Sequence, residues 1–323
     1  MHAYQPGNLT ILLPLAAIAI GVVLLGFALT RLRAVRLARS LAWLLVVGST
    51  VGVERLVVAS EPAGFRMLAI ITVLLVAMKS VVGVEAASDG TRMSWWRWLG
   101  FCTLWFGMRP RIFAGERKPR DDAWLILRSA LLLAVGGLAL IVAAAGVWRV
   151  SGSPLLALPL LLPGISLCLH FGVLKSATAF WRLVGLDANL LFRAPIRSTS
   201  LTEFWGRRWN IAFSEMTAIA VYRPLQPVVG RRAATVLAFA FSGVLHEVAI
   251  SVPVQTGYGL PMLYFVVHGG LILIERARQS AGRPIGGWPG WCWTVLWLAL
   301  PLPILFHPAF VEQVLLPIIG GGG

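Results

Sequence analysis

The densest run of polar and aromatic side chains in this 323-residue sequence is Ser200-Leu201-Thr202-Glu203-Phe204-Trp205-Gly206-Arg207-Arg208-Trp209-Asn210. Ser200 followed by Glu203 has the spacing of a capping box, in which two side chains satisfy free backbone N–H groups at a helix start. A helix begun there places Glu203, Arg207 and Asn210 at i, i+4 and i+7. They share one face, with Glu203 spaced to pair with Arg207. Trp205, Arg208 and Trp209 fall on a neighbouring face. An amphipathic surface helix with a solvated charged stripe would read the same way, so the stretch alone does not separate a reactive site from a surface.

The second feature is Phe241-Ser242-Gly243-Val244-Leu245-His246-Glu247, inside the apolar run 233–253. Ionisable side chains inside an apolar span are costly and usually face a protein interior or a cavity. An imidazole held there can accept a proton. Ser242 lies one turn before His246 and has the spacing to hydrogen-bond on the same face, although small residues such as Ser242 and Gly243 also serve close helix packing. Sharper alternatives fail on spacing. His246-Glu247 begins like a zinc-protease H-E-x-x-H, but the second His position is Ile250. His2, His170, His246, His268 and His307 are isolated from one another, so no di-iron histidine boxes form. Ala240-Phe241-Ser242-Gly243 lacks the first Gly of an intramembrane serine-protease G-x-S-G, and no phosphate-binding P-loop occurs. No metal ligand set follows.

The elements that must position these residues are membrane helices. Hydrophobic residues make up 58% of the chain and charged residues 13%, where soluble domains carry about 25% charged. The mean hydropathy is +0.81. Apolar runs fall near 9–29, 41–59, 65–84, 123–147, 154–174, 233–253, 260–275 and 290–307, each near the roughly 20 residues that cross a hydrocarbon core. The fold class expected is an all-α integral membrane protein of about eight spans, forming one domain over residues 1–323. The first run has no basic segment before it and no convincing cleavage site, and reads as a retained helix. Cys102, Cys168 and Cys292 are far apart and imply no disulfide framework.

The net charge of +15 comes mostly from arginines between the apolar runs. Membrane topology explains them without nucleic acid, because Lys and Arg are retained on the cytosolic side. Clusters at Arg31–Arg39, Arg92–Arg120, Arg182–Arg232 and Arg276–Arg283 alternate with connections near Glu61, Ser151 and Gln255 that carry little positive charge. With all four clusters in the cytosol, the segment from about 175 to 232 begins and ends on that side. It is therefore a cytosolic or re-entrant polar excursion. A second excursion, about 85–122, carries Trp95, Trp96, Trp98 and Trp105, read either as an interfacial anchor or as a pocket wall.

Leu201-Thr202-Glu203-Phe204-Trp205-Gly206-Arg207-Arg208-Trp209-Asn210, together with Ser242-Gly243-Val244-Leu245-His246-Glu247, resembles the signature of the membrane-bound O-acyltransferase superfamily, in particular its wax synthase branch. The phrase F-W-G-R-R-W-N is the specific part, and Trp105-Phe106-Gly107-Met108-Arg109-Pro110 looks like a further tract of bacterial wax-synthase-like proteins. The resemblance covers about Trp181 to Gly290. It implies a helical bundle enclosing a tunnel, with acyl-CoA entering from the cytosol and a hydroxyl-bearing, lipid-like acceptor arriving from the membrane. It also implies His246 as the catalytic histidine and Asn210 as its partner, with no cofactor besides the acyl-CoA co-substrate. A cytoplasmic membrane of the bacterial type is the expected location.

The chemistry of the side chains agrees. Forming an ester from an alcohol and a thioester needs a base for the hydroxyl proton, which His246 can supply. It also needs a donor for the oxyanion, which the Asn210 side chain can supply. Arg207 and Arg208 suit CoA phosphates, although consecutive helical residues diverge, so at most one would face a ligand. Trp205 and Trp209 would wall the tunnel. A transporter is the competing reading, with His246, Lys79, Lys175 and Glu85 as its polar path. The topology is testable on its own. Loops near Arg36, Arg111, Arg197 and Arg283 should be cytosolic and the N-terminus outside. In a protein whose native cysteines are serines, Arg197→Cys should be labelled only after permeabilisation, and strong labelling of intact cells would remove the cytosolic excursion.

Overall fold

The computed structural model describes residues 2–115 and 120–321. Eight helices in it are long and apolar enough to cross a membrane: α1 (Leu9–Leu29), α2 (Val35–Val57), α3 (Ala63–Ser88), α4 (Ala123–Ser151), α5 (Pro154–Leu183), α6 (Ile211–Val254), α7 (Leu260–Ser280) and α8 (Gly287–Leu305). No strand occurs among the described residues. Lipid offers no partner for backbone N–H and C=O groups, and helices satisfy both internally. The chain is an all-α, multi-pass integral membrane protein.

The expected excursion over 175–232 is narrower in the structure. Helix α5 runs on to Leu183 and α6 begins at Ile211, leaving a non-spanning connection over 184–210. The charged side chain that would end α5 is satisfied without leaving the protein. Arg182 is buried, donates from Nε to the Ala188 carbonyl at 2.8 Å and pairs with Asp122. At the other end, Gly230 breaks α6 with φ 79° and ψ 166°, a left-handed φ that glycine adopts without a Cβ clash. The apolar run expected from 233 is the half of α6 beyond that break.

Helix α3 is the hub. It packs against both α1 and α2, while α4 packs on α5 and α6 on α7. Its apolar window is 61% buried, against 17% for α1 and for α4, so α1 and α4 keep most of their surface for lipid. The tryptophan-rich stretch folds as a short helix, Trp95–Thr103, and splits the two readings offered for it. Trp96 is exposed, whereas Trp98 and Trp105 are buried. Trp98 donates from Nε1 to the Val23 carbonyl at 2.9 Å, and a Cβ at Gly83 would come within 2.7 Å of its ring. Neither tryptophan lines the cavity described below.

Polar groups inside the bundle are paired across helices. Arg66 of α3 meets Glu54 of α2 at 2.5 Å and donates to the Val252 carbonyl of α6 at 3.3 Å. Lys79 is fully buried, and its Nζ donates to the carbonyls of Phe101 at 2.6 Å, Trp105 at 2.6 Å and Gly107 at 3.2 Å. It also sits 4.1 Å from the centroid of the Phe101 ring. The Trp105–Pro110 tract is thus wrapped around one side chain of α3. Continuing from it, Arg109 pairs with Glu215 of α6 at 2.7 Å. An unpaired buried carbonyl costs about 1–3 kcal/mol, so Lys79→Ala, which strands three, should destabilise the protein by about 3 kcal/mol or more. Thermal unfolding in detergent reads this as a lowered midpoint. Lys79→Met should not restore the midpoint, because it refills the volume without supplying donors; an unchanged midpoint in both variants would remove Lys79 from this role.

Candidate active site

The Ser200 signal starts a helix as its spacing predicts: Ser200 Oγ accepts from the Glu203 N–H at 3.0 Å. The reciprocal bond lands one residue early, with Glu203 Oε2 accepting from the Thr199 N–H at 2.9 Å. Two further free N–H groups of this start are taken by a residue far away in sequence. Glu275 of α7 accepts from Leu201 N at 2.7 Å, Thr202 N at 2.9 Å and Thr202 Oγ1 at 2.7 Å, and from Trp293 Nε1 of α8 at 3.0 Å. One buried carboxylate thereby ties the motif to two spans.

The next turn corrects the expected pairing. Phe204–Arg208 is a π-helical turn, closed by a bond from Trp209 N to the Phe204 carbonyl at 2.8 Å. In that wider winding the partner of Glu203 is five residues on. Arg208, not Arg207, pairs with it, with Nε on Oε1 at 2.7 Å. Burial pushes the Glu203 carboxyl up, but the Thr199 N–H and the Arg208 guanidinium outweigh it and hold the group below its ordinary value. The shared face proposed for Glu203, Arg207 and Asn210 does not form either. Trp209 is extended and Asn210 is left-handed, with φ 42° and ψ 59°, a conformation Asn tolerates better than most residues. Asn210 instead opens α6, its Oδ1 accepting from the Phe213 N–H at 3.3 Å.

The break at Asn210 turns the motif back over α6 and encloses a cavity of about 320 Å³. His246, Asn210, Trp205, Trp209 and Ser242 all line it, so residues 41 and 36 positions apart in sequence meet across one space. His246 is packed between Phe213 and Phe265, whose ring centroids lie 5.7 and 4.1 Å away. Its Nδ1 is 2.7 Å from the Ser242 carbonyl. A carbonyl only accepts, so Nδ1 carries the proton and the other ring nitrogen, Nε2, is the acceptor. The Ser242 hydroxyl does not reach the histidine as expected. It bonds back to the Ala238 carbonyl at 3.0 Å, the usual local partner of a helical serine.

Three predicted site residues lie outside the lining. Glu203 and Arg208 pair with each other, and Arg207 is exposed. Other side chains that the motifs do not single out complete the wall. Phe213 meets the imidazole edge-on and Phe265 lies tilted against it, while Thr235 and Arg276 line the cavity joined by a 2.9 Å bond from Arg276 Nη1 to Thr235 Oγ1. Arg276 stands out in sequence only as one of a basic cluster, and Glu275 was hidden beside it. The polar path of the transporter reading is not assembled. Lys79 is enclosed by carbonyls, Glu85 pairs with Arg39 at 2.7 Å, and neither they nor Lys175 line the cavity with His246.

Residues 188–267, which contain most of this cavity wall, match the model of the membrane bound O-acyl transferase family. The chain is 30% identical over 139 residues to a long-chain-alcohol O-fatty-acyltransferase of Simmondsia chinensis, covering 38% of this chain and 40% of that protein. It is 30% identical over 147 residues to the probable long-chain-alcohol O-fatty-acyltransferase 7 of Arabidopsis thaliana, covering 41% and 42%. It is 32% identical over 113 residues to an acyl-CoA–sterol O-acyltransferase of Arabidopsis thaliana, covering 32% and 33%. The matches thus span about two fifths or less of these relatives' length. By its motifs and by these matches, the segment that builds the site is similar to the membrane bound O-acyl transferase family, and to its long-chain-alcohol O-fatty-acyltransferases in particular.

Proposed function

We propose that the protein is a membrane-embedded O-acyltransferase that moves a fatty acyl group from acyl-CoA to the hydroxyl of a lipid-like acceptor, with a long-chain alcohol as the acceptor and a wax ester as the product. The observation that carries this reading is His246. It lies within a span and lines a largely apolar cavity that Asn210 also lines, with Nδ1 committed to the Ser242 carbonyl and Nε2 left as an acceptor. The names of the relatives support the reaction class, and one of them names a sterol acceptor.

In this mechanism His246 Nε2 removes the hydroxyl proton as the acceptor oxygen attacks the thioester carbonyl. The Asn210 amide Nδ2, whose own Oδ1 is held by Phe213 N, donates to the resulting oxyanion. Collapse of the tetrahedral species breaks the C–S bond, and the imidazolium returns its proton to the departing CoA sulfur. Ester and free CoA are the products, with no further cofactor consumed. Apolar walls such as Phe213 and Phe265 limit competing attack by water. The acyl-CoA side of the cavity faces the cytosol in this reading, and the protein resides in a cytoplasmic membrane.

Lipid profiles of cells with and without the protein should differ by one ester class, which names donor chain and acceptor together. Loss of the general base in His246→Ala should lower CoA release by about 10²–10⁴ while insertion and yield stay normal. Asn210→Ala should be impaired as well, and the double variant should lose less than the product of the two single losses, as for residues acting as a unit. Purified His246→Ala that releases CoA at the wild-type rate in the presence of a responsive acceptor would sink the mechanism.

A further inference from the structure

The cavity that holds His246 adjoins a second one. The two share Tyr222 and Arg276 in their walls, and the second, of about 830 Å³, adds Arg231 and Arg232. Three arginines, Arg231 and Arg232 at the surface and Arg276 in both walls, therefore line a space adjacent to the site. Among the described residues, no carboxylate pairs with any of them. The side chain of Arg276 has the bond to Thr235, which uses one of its five donors.

Local backbone geometry adds to the imbalance. The break at Gly230 makes Arg231 and Arg232 the first residues of a fresh helix leading to His246. A helix start bears partial positive charge, so cations there are disfavoured and an anion is attracted. Retention of arginine on the cytosolic side explains basic residues at these helix positions, but it does not require them to line a cavity that shares Tyr222 and Arg276 with the site. An anionic ligand accounts for both.

The separation is also informative. Arg276 is held at the level of Thr235, and Thr235 precedes His246 by eleven residues, which is about 16 Å along a helix axis. On α7, Arg276 follows Phe265, the ring against His246, by the same eleven residues. The arm joining the phosphates of coenzyme A to its sulfur has about thirteen bonds, roughly 16 Å when extended. We propose that Arg231, Arg232 and Arg276 receive the phosphates of the acyl donor's nucleotide end, setting its thioester at His246. This rests on the acyl-transfer reading and moves the phosphate contacts away from Arg207 and Arg208.

Free coenzyme A, titrated into the purified full-length protein in nanodiscs of phosphatidylcholine alone, tests the assignment. Arg276→Ala and the Arg231→Ala/Arg232→Ala double variant should each weaken its Kd about tenfold or more, as expected for lost charge-assisted bonds. The KM for acyl-CoA should rise in parallel while kcat changes far less. Arg278→Ala, on α7 but in neither cavity wall, should stay within about twofold, a factor set well below one lost charge-assisted bond. Unchanged affinity in the variants, with wild-type turnover intact, overturns the phosphate pocket and leaves acyl transfer standing. An arginine effect that appears only when phosphatidylglycerol is added assigns these residues to lipid headgroups and overturns it too. Wild-type protein that neither binds coenzyme A nor releases it from acyl-CoA overturns both readings.

Discussion

The carboxylate of Glu275 is the contact on which the rest of the site depends. It is buried, and it caps Leu201 and Thr202 while bonding Trp293 on α8. A helix start leaves its first N–H groups without intrahelical partners, and a buried start without such partners carries an unsatisfied cost for each. Glu275 supplies the partners from another span. With the motif pinned there, the π-helical turn after it sets Trp205 against Phe265 at 5.6 Å between centroids and brings Asn210 to the mouth of α6. Because Glu275 and Arg276 are consecutive on α7, the same turn of helix holds the motif and edges the cavity.

Wide helical turns recur in the segments that build this cavity. Phe204–Arg208, Ala218–Tyr222 and Glu247–Ser251 are all π-helical, and such turns often mark functional positions. Two of them have an identifiable cause. Pro224 and Pro253 follow them closely, and a proline within a helix removes the N–H that the carbonyl four residues earlier would use and crowds that carbonyl. Widening the turn re-pairs the backbone: Val252 N reaches the Glu247 carbonyl, and Arg223 N the Ala218 carbonyl. The second widening follows His246 directly, so the imidazole sits at the end of regular helix, where lining residues can turn inward.

Much of the architecture was readable from hydropathy, because spans must be apolar for about 20 residues, and the eight runs correspond to eight helices. Their ends were less readable. Arg182 lies inside α5 because Asp122 and a carbonyl satisfy it, a long-range fact with no local sign. The meeting of His246 with Asn210 followed from the family resemblance, and local pattern alone did not join them. Helical spacing misassigned the partner of Glu203 since it assumes 3.6 residues per turn, whereas this turn is wider. Lys79 read as a polar group on a transport path, and only the fold brings three carbonyls to it. Glu275 escaped notice for the same reason: Leu201 and Thr202, whose N–H groups it caps, are more than seventy residues away.

The central claim is that the acyl thioester and the acceptor hydroxyl meet at His246 inside the membrane. A cryo-electron microscopy structure with a non-reactive thioether analogue of acyl-CoA tests it most directly. The account predicts the sulfur end of the analogue within about 3.5 Å of His246 Nε2 or one water away, as a positioned base requires, with the acyl chain running past Phe213 and Phe265. An analogue seated instead in the charged cleft between Arg39, Arg109 and Arg223, with the His246 cavity empty, would contradict it.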